Sequence, residues 1–573
     1  THPLLLKARG SEMADALERV IRVEPDGQAH ELVFNGVLGD EERRVALDVP
    51  EEVIDGSLDL FAKIYPGSFS QVVDGLDGLL RMPFGCFEQT SSATYPNILI
   101  LDYLRENEKA KPDLEMKALS YIKTGYQRLL SFECSNGGFE WFGNDPPNNV
   151  LTAYGLMEFS DMDEVFDVDE AVIERSRQFL EEDQNADGSW TLTGGGYRDG
   201  AINDKGSGSE RPTAYIAWAL AESGAEGRVI ENALAWLASR ISSMDDSYTL
   251  ALAANAFIAA DSPKSSAAIA RLLACKCEKG DDLVFWDASG RSAVSSSGLA
   301  LRIETTALAA YALLRKQREI SIAHKALAWL VEHRDSRGAW HSTQATVHAL
   351  RALLAGSVGG AADVGEDGLG VSISSGGEEL EKLLIRPDMG DVFHLVDLRP
   401  YLGQGENEFI LKASKRANLA YSLVARYYTP HEGEKKASSK DDEKPISIDV
   451  EYDSTSLSKD DVLRAKVKIL YQGPGDAAMT LVDLGIPPGF ELLLDEVKAL
   501  CEDGPVSRYS LAGSRLILYF NSLPGKLPLQ FSFGMRAKFP VKAKTPRSWI
   551  YTYYEPETRD ETEPVELEIR GKR

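Results

Sequence analysis

Apolar and polar residues alternate along the early part of the chain. In "VALDVP" and "SLDLFAKIY" the period is two, and Gly, Asp and Pro clusters separate the runs, so residues from about 28 to 65 read as β-strands. Past Tyr65-Pro66-Gly67 the period changes. Phe69, Val72, Val73, Leu76, Leu79 and Leu80 fall on one helical face. Helical patterning then runs to about Gly356, and a phrase recurs within it. Gly137-Gly138-Phe139 precedes "LTAYGLMEF", "DGSW" precedes "PTAYIAWALAES", Phe285-Trp286 precedes "ETTALAAYALL", and "RGAW" precedes "ATVHALRALLAG". Each is a Gly-rich aromatic turn followed by a helix opened by Thr, with Ala on its packing face. Thr suits the N-cap and Ala allows close helix approach. Helical hairpins that cannot bury a face alone must stack, and a closed α/α toroid is the economical arrangement.

Strand patterning returns at "LGVSISSGG" and continues through "NLAYSLVARYYTP". The stretch from His431 to Pro445, "HEGEKKASSKDDEKP", is charged and lacks a core-forming pattern, as a linker does. Short strands at sandwich spacing follow ("ISIDVEY", "LRAKVKILY", "RLILYF", "LQFSFGMRAKF", "WIYTYY"), interrupted by one helix-like insertion, "ELLLDEVKALC". The β segments flanking the helical stretch are each too small to bury a core, which predicts that they pair as one sandwich with the toroid inserted between its halves. The expected domains are residues 1–65 and 359–430 (one split β domain), 66–358 (toroid), 431–445 (linker) and 446–573 (terminal β-sandwich).

Composition narrows the functions. A chain of 573 residues needs about three or four domains. A net charge of −27 leaves no basic excess to neutralise phosphates, which argues against nucleic acid as a partner. No apolar run approaches the ~20 residues of a membrane helix. The five cysteines, Cys86, Cys134, Cys275, Cys277 and Cys501, are too sparse for a disulfide-stapled module. Cys275-Lys-Cys277 has no second pair to complete a zinc site and reads as two small residues at a helix end. The acidic run from Asp161 to Glu170 lacks the Gly and terminal Glu of a calcium loop and reads as a solvated helix start. His324, His333, His341 and His348 carry no metal-ligand spacing and read as packing or surface residues. No metal or other cofactor is therefore expected. The sequence opens at Thr1 without an initiator Met or signal peptide, which reads as a piece of a larger protein.

One short stretch carries chemistry. In "PFGCFEQ" Cys86 stands at a helix start, where the dipole and free N–H groups favour a thiolate, and Gly85 permits the turn. Gln89 lies three residues on, on the same face and in reach of the sulfur. A thiolate that attacks a glutamine amide carbonyl expels ammonia and stores an acylating thioester. By spacing alone, Cys86 is equally read as a small apolar residue at a helix start.

The stretch resembles the Pro-x-Gly-Cys-x-Glu-Gln thioester motif of the α2-macroglobulin and complement family. The similarity continues in order through "PNILILDYL", "TGYQRLL", "STQATVHAL" and "YTYYEPE". The resemblance implies a CUB-like β domain split by a helical thioester domain and followed by a receptor-binding-type β-sandwich. It also implies a covalent protease trap, in which Gln89 supplies the acyl group, Cys86 is the leaving group, and lysine amines of a target protease attack after a bait in missing N-terminal domains is cut. Glu88 follows the motif, as a modulator of reactivity or a solvated charge. Phe87 resembles the bulky residue of bacterial members, and either roofs the thioester or packs in the toroid. Tyr553 and Tyr554 match aromatics by which the terminal domain shields the thioester. Complement members that acylate hydroxyls use a downstream histidine; no His lies between His30 and His324, and Asp199 stands near that position, as a modulator or an ordinary turn residue. Direct aminolysis is therefore expected. Of the two receptor-binding lysines of animal members only Lys498 has a counterpart, with Leu494 in the other place, which fits a bacterial protein of the periplasm or cell surface. A complement-like surface adhesin and, more remotely, a toroid enzyme of the prenyltransferase or cyclase class are the alternatives.

Overall fold

In the computed structural model, inner and outer helices of the central region differ in how they are buried, and that difference builds a ring. The structure describes the chain apart from residues 1, 12, 22, 24, 26, 40, 68–69, 71–82, 84, 107–111, 193–207, 281, 294–295, 336–337, 341, 358–367, 387–392, 416–418, 431–443, 474, 554 and 572–573. The helical face predicted from Phe69 to Leu80, Asp199, His341, Tyr554 and nearly all of the charged linker lie outside the described residues. Eleven helices are described in the central region: α1 (Phe87–Glu106), α2 (Pro112–Leu130), α3 (Asn149–Asp163), α4 (Glu170–Glu182), α5 (Glu210–Glu222), α6 (Arg228–Ala238), α7 (Ser247–Ala259), α8 (Ser265–Ala274), α9 (Gly298–Arg315), α10 (Ile320–Glu332) and α11 (Thr343–Ser357). The even-numbered helices bury one stripe, as α4 does through Val172, Ser176 and Leu180. The odd-numbered ones are buried nearly all round; α5 is enclosed from Pro212 to Ala221 and α7 from Ser247 to Phe257. Each odd helix packs on the next, α1 on α3, then α5, α7, α9 and α11, and α11 returns to α1. The ring is closed, as the recurring phrase predicts.

The recurring Thr has a different task from the one its position suggested. Thr152, Thr213, Thr306 and Thr346 lie inside their helices, and each hydroxyl accepts the backbone N–H of its turn aromatic: Phe139 at 2.8 Å, Trp190 at 2.9 Å, Trp286 at 3.0 Å and Trp340 at 3.0 Å. The indoles of Trp190, Trp286 and Trp340 then donate to Leu180, Leu272 and Leu330 carbonyls at the ends of the outer helices. Capping falls to other residues; Asn148, for example, caps α3 by accepting from the Leu151 N–H. The repeat therefore satisfies buried backbone groups where each outer helix hands over to an inner one.

Elsewhere, strands from both sides of the helical region share two antiparallel four-stranded sheets. One runs in the order His394–Asp397, Asp59–Tyr65, Leu419–Thr429, Gln28–Leu38, and the other Arg43–Val49, Gly405–Ala413, Leu369–Ser375, Glu378–Ile385. Leu38, Ile64 and Leu423 of the first meet Leu47, Ile373 and Phe409 of the second in one core. Neither segment could supply this core alone, and the chain leaves this unit for the toroid and returns to it. An additional hairpin, His2–Arg9 with Ala14–Ile21, precedes them. Its "PLLLKA" run does not alternate, so the pattern missed it.

The C-terminal residues form a β-sandwich packed into one unit with the toroid. Its five-stranded sheet has the order Arg508–Ala512, Arg515–Leu523, Ala477–Gly485, Trp549–Thr552, Glu555–Glu561. The helix-like insertion is α12 (Leu494–Glu502), anchored by the buried Val497. No described helix is long and apolar enough to cross a membrane.

Candidate functional site: a buried cysteine–glutamine pair

Gly85 has φ +82°, a conformation that glycine adopts without strain, and it turns the chain into α1. A Cβ at this position would lie 1.8 Å from Gln89 Oε1. The Gln89 carboxamide therefore folds back over the helix start, and the Cys86 backbone N–H donates to its Oε1 at 3.2 Å. Cys86 and Gln89 are 1 % and 7 % exposed. Both residues are thus withdrawn from solvent at the helix start.

The electrostatics run against the sequence expectation for the thiol. Backbone N–H groups of the helix start do favour its thiolate, but burial and then the Glu88 charge outweigh them and push Cys86 up to about 12. Glu88 is not a solvated charge. It is 3 % exposed, and the Trp141 indole donates to Oε2 at 3.3 Å. Trp141 also accepts the Phe87 N–H on its carbonyl at 2.8 Å, so this one turn holds the helix start from two sides. Phe87 points into the toroid. Its ring lies against Phe132, Phe139 and Tyr154, in space that Gly155 leaves open, since a Cβ there would come within 2.8 Å of the ring. These are the contacts of a packing residue.

Residues of the terminal sandwich lie near the pair. Tyr553 lies by Thr343 at the start of α11, with 3.4 Å between hydroxyls; burial, and after it the neighbouring Glu88 and Cys86, push its phenol well above the usual tyrosine range. Tyr519 packs edge-on against Phe142 with ring centroids 5.9 Å apart, and the Arg508 guanidinium lies 4.9 Å from the Phe142 ring centre. Arg128 of α2 reaches the same place and donates to the Gly85 carbonyl at 2.7 Å. Trp141, Arg128, Phe142, Arg508 and Tyr519 were not singled out from the sequence. A signal existed for Tyr519: "LILYF" is apolar without alternation, the pattern of a strand covered on both faces.

The remaining sequence candidates lie elsewhere. Asp161 is ion-paired to Arg351 and accepts from the Tyr95 hydroxyl at 2.6 Å, which corrects its reading as part of a solvated run. His348 packs on Trp218 and His333 on Trp329. Cys275 caps α8 and Cys277 follows in a short strand. Among the described residues no three His, Cys, Asp or Glu side chains gather as metal ligands would.

Residues 60–355 match the A-macroglobulin TED domain, and residues 475–564 match the A-macroglobulin receptor binding domain. Ovostatin of Gallus gallus is 26 % identical over 568 residues, covering 95 % of this chain and 37 % of its own length. The chain thus spans little more than a third of that curated relative. Among solved structures, Salmonella alpha-2-macroglobulin reacted with methylamine superposes with a TM-score of 0.69 at 17 % identity, over 98 % of this chain and 35 % of that one. Native alpha-2-macroglobulin from Escherichia coli, from domain MG7 to the C-terminus, does so at 0.68 and 15 %, over 98 % and 86 %. At these identities the superpositions speak for fold. With the thioester-domain match spanning more than half its length, the chain belongs to the alpha-macroglobulin family, as its C-terminal, thioester-domain and receptor-binding-domain portion.

Proposed function

We propose that this chain carries the covalent arm of a bacterial-type protease-trapping alpha-macroglobulin, which works in the periplasm or at the cell surface. The observation that carries this reading is the Gln89 carboxamide folded over Gly85 and bonded to the Cys86 N–H, in a pocket closed to water. In ring closure the Cys86 sulfur bonds to Gln89 Cδ, the C–N bond breaks, and ammonia leaves with the thiol proton. In capture a lysine amine of the protease bonds to Cδ, the C–S bond breaks, and the proton lost by nitrogen ends on sulfur. Each chain reacts once, so the activity is inhibition and not turnover.

The buried thiol supports a reason for the thioester's inertness before triggering. A leaving group pushed up to about 12 is a poor one, and lifting the terminal sandwich would rehydrate it and return it toward the ordinary thiol range. In this reading Glu88, beside both Cys86 and Tyr553, carries the proton from amine to sulfur. We further propose Tyr553 and Tyr519 as the cover, and amines as the preferred targets because the sequence has no histidine between His30 and His324.

Intact mass tests the reading. A closed thioester makes the chain ~17 Da lighter through lost ammonia, and methylamine adds mass back while releasing one thiol. Full mass before treatment would refute it. Faster consumption by glycerol than by methylamine would refute the amine preference alone.

A further inference from the structure

The Gly85 carbonyl and the Cys86 N–H are two ends of one trans peptide group, and in a planar trans peptide they point in opposite directions. Arg128 Nη2 holds the oxygen end at 2.7 Å, and the hydrogen end meets Gln89 Oε1 at 3.2 Å. We propose that Arg128 is a positioning residue for acyl transfer: by holding the Gly85 carbonyl it aims the Cys86 N–H at the oxygen that becomes negative whenever the thioester is made or broken. This rests on the thioester reading and adds to it the group that serves the transition state.

The chemistry requires such a donor. Ring closure and aminolysis both pass through a tetrahedral carbon at Gln89 Cδ, and in both the negative charge gathers on Oε1, which never leaves. A backbone N–H fixed beforehand on that atom stabilises the charge without reorganising. A charged donor on the far side of the same peptide polarises it and strengthens the N–H. The peptide cannot hold itself in place, because Gly85 is the most freely rotating residue of the turn. Arg128 is itself steadied on α2, with its guanidinium 5.9 Å from the Phe132 ring centre. A guanidinium is also suited to the task because it stays charged when partly buried, whereas a lysine in its place would make a single, less directional bond.

The experiment compares the wild-type chain with Arg128→Gln and Arg128→Lys. Methylamine consumption is followed by thiol release, and the thioester carbonyl stretch by infrared difference before and after methylamine. Arg128→Gln is expected to slow the reaction about tenfold or more and to move the carbonyl band to higher frequency, with Arg128→Lys between it and wild type. A folded Arg128→Gln chain that never loses ammonia also supports the proposal, since ring closure uses the same oxygen. An unchanged or faster reaction with an unmoved band overturns it. If Arg128→Gln does not fold, the wild-type band decides: a frequency equal to that of an unbonded thioester means that no N–H rests on the carbonyl, and the proposal falls. Wild type at full mass would remove the thioester itself, and this proposal with it; wild type ~17 Da light with an indifferent Arg128 removes only the role of Arg128.

Discussion

Gly85 and Cys86 show how narrowly the site depends on single positions. A methyl group at position 85 would overlap Gln89 Oε1, and φ +82° would strain any L-residue there. Gly85→Ala is therefore expected to fold with a loss of about 1–2 kcal/mol and to remain at full mass, because the carboxamide can no longer lie over the turn. Intact mass and thermal melting check both parts. Cys86 itself is held protonated by burial and Glu88. After methylamine has opened the thioester, with the terminal sandwich in place, its alkylation by iodoacetamide should be slow at pH 8 and still rising with pH beyond 10. In urea the same thiol should titrate in the ordinary thiol range near 8.5. A native-state profile already level by pH 9 would contradict the burial argument. The proximity of positions 86 and 89 on one helix face follows from their spacing and the preceding Gly, but the state of the thiol does not. The N–H groups of a helix start are local and follow from the sequence, whereas desolvation depends on what covers the atom.

Among the helices, the turn–Thr–indole unit is a device with a measurable cost. Trp340→Phe keeps an aromatic ring but removes the pyrrole half of the indole, and with it the N–H that reaches the Leu330 carbonyl at 2.7 Å, leaving that carbonyl short of a donor beside a small cavity. A loss of about 1–2 kcal/mol is expected in denaturant melts, and an unchanged midpoint would show the bond to be idle. Helix α3 adds a pH dependence. Glu158 is fully enclosed beside Ser91, and burial pushes it up to about 8 from an ordinary 4.5; Glu304 on α9 is likewise pushed up to about 7. A carboxyl with a raised folded-state pKa binds its proton more tightly when folded, so its cost to stability is absent below about pH 4.5. That cost grows as pH rises and is complete above about 8. On the order of 3–4 kcal/mol should be lost through Glu158 over that range. Glu158→Gln should flatten the fall in thermal midpoint between pH 5 and 8, leaving the part due to Glu304. A slope unchanged by the substitution would mean that Glu158 reaches water. The ring of helices was legible because a Gly-rich aromatic turn followed by a Thr- and Ala-bearing helix recurs along the chain. The role of Thr was not, because a Thr near a helix start reads as a cap until its partner on the preceding turn is known.

Between domains, the terminal sandwich is proposed to guard the thioester. Tyr553, Tyr519 and Arg508 all come from chain more than 400 residues beyond Cys86. Tyr519→Ala and Tyr553→Ala are each expected to speed methylamine consumption about tenfold, equal to about 1.4 kcal/mol of barrier, with the toroid still folded. If both variants react at the wild-type rate, the sandwich does not guard the site. The divided β domain teaches a similar lesson. Its two halves are separated by the whole toroid, and their union could be inferred only because each is too small to keep its own core dry.

By itself the sequence determined the local features: the helical repeat, the split β domain, the turn at Gly85 and the placing of Gln89 one helical turn from Cys86, all of which rest on periodicity and short-range spacing. The tertiary structure decided what surrounds them. Phe87 turned inward, Glu88 was buried against Trp141, and Arg128 and Tyr519 arrived from elements that no spacing rule connects to Cys86. The physical reason is that reach along a helix is set by covalent geometry within a few residues. Dryness, charge and cover are sums over neighbours that only packing brings together.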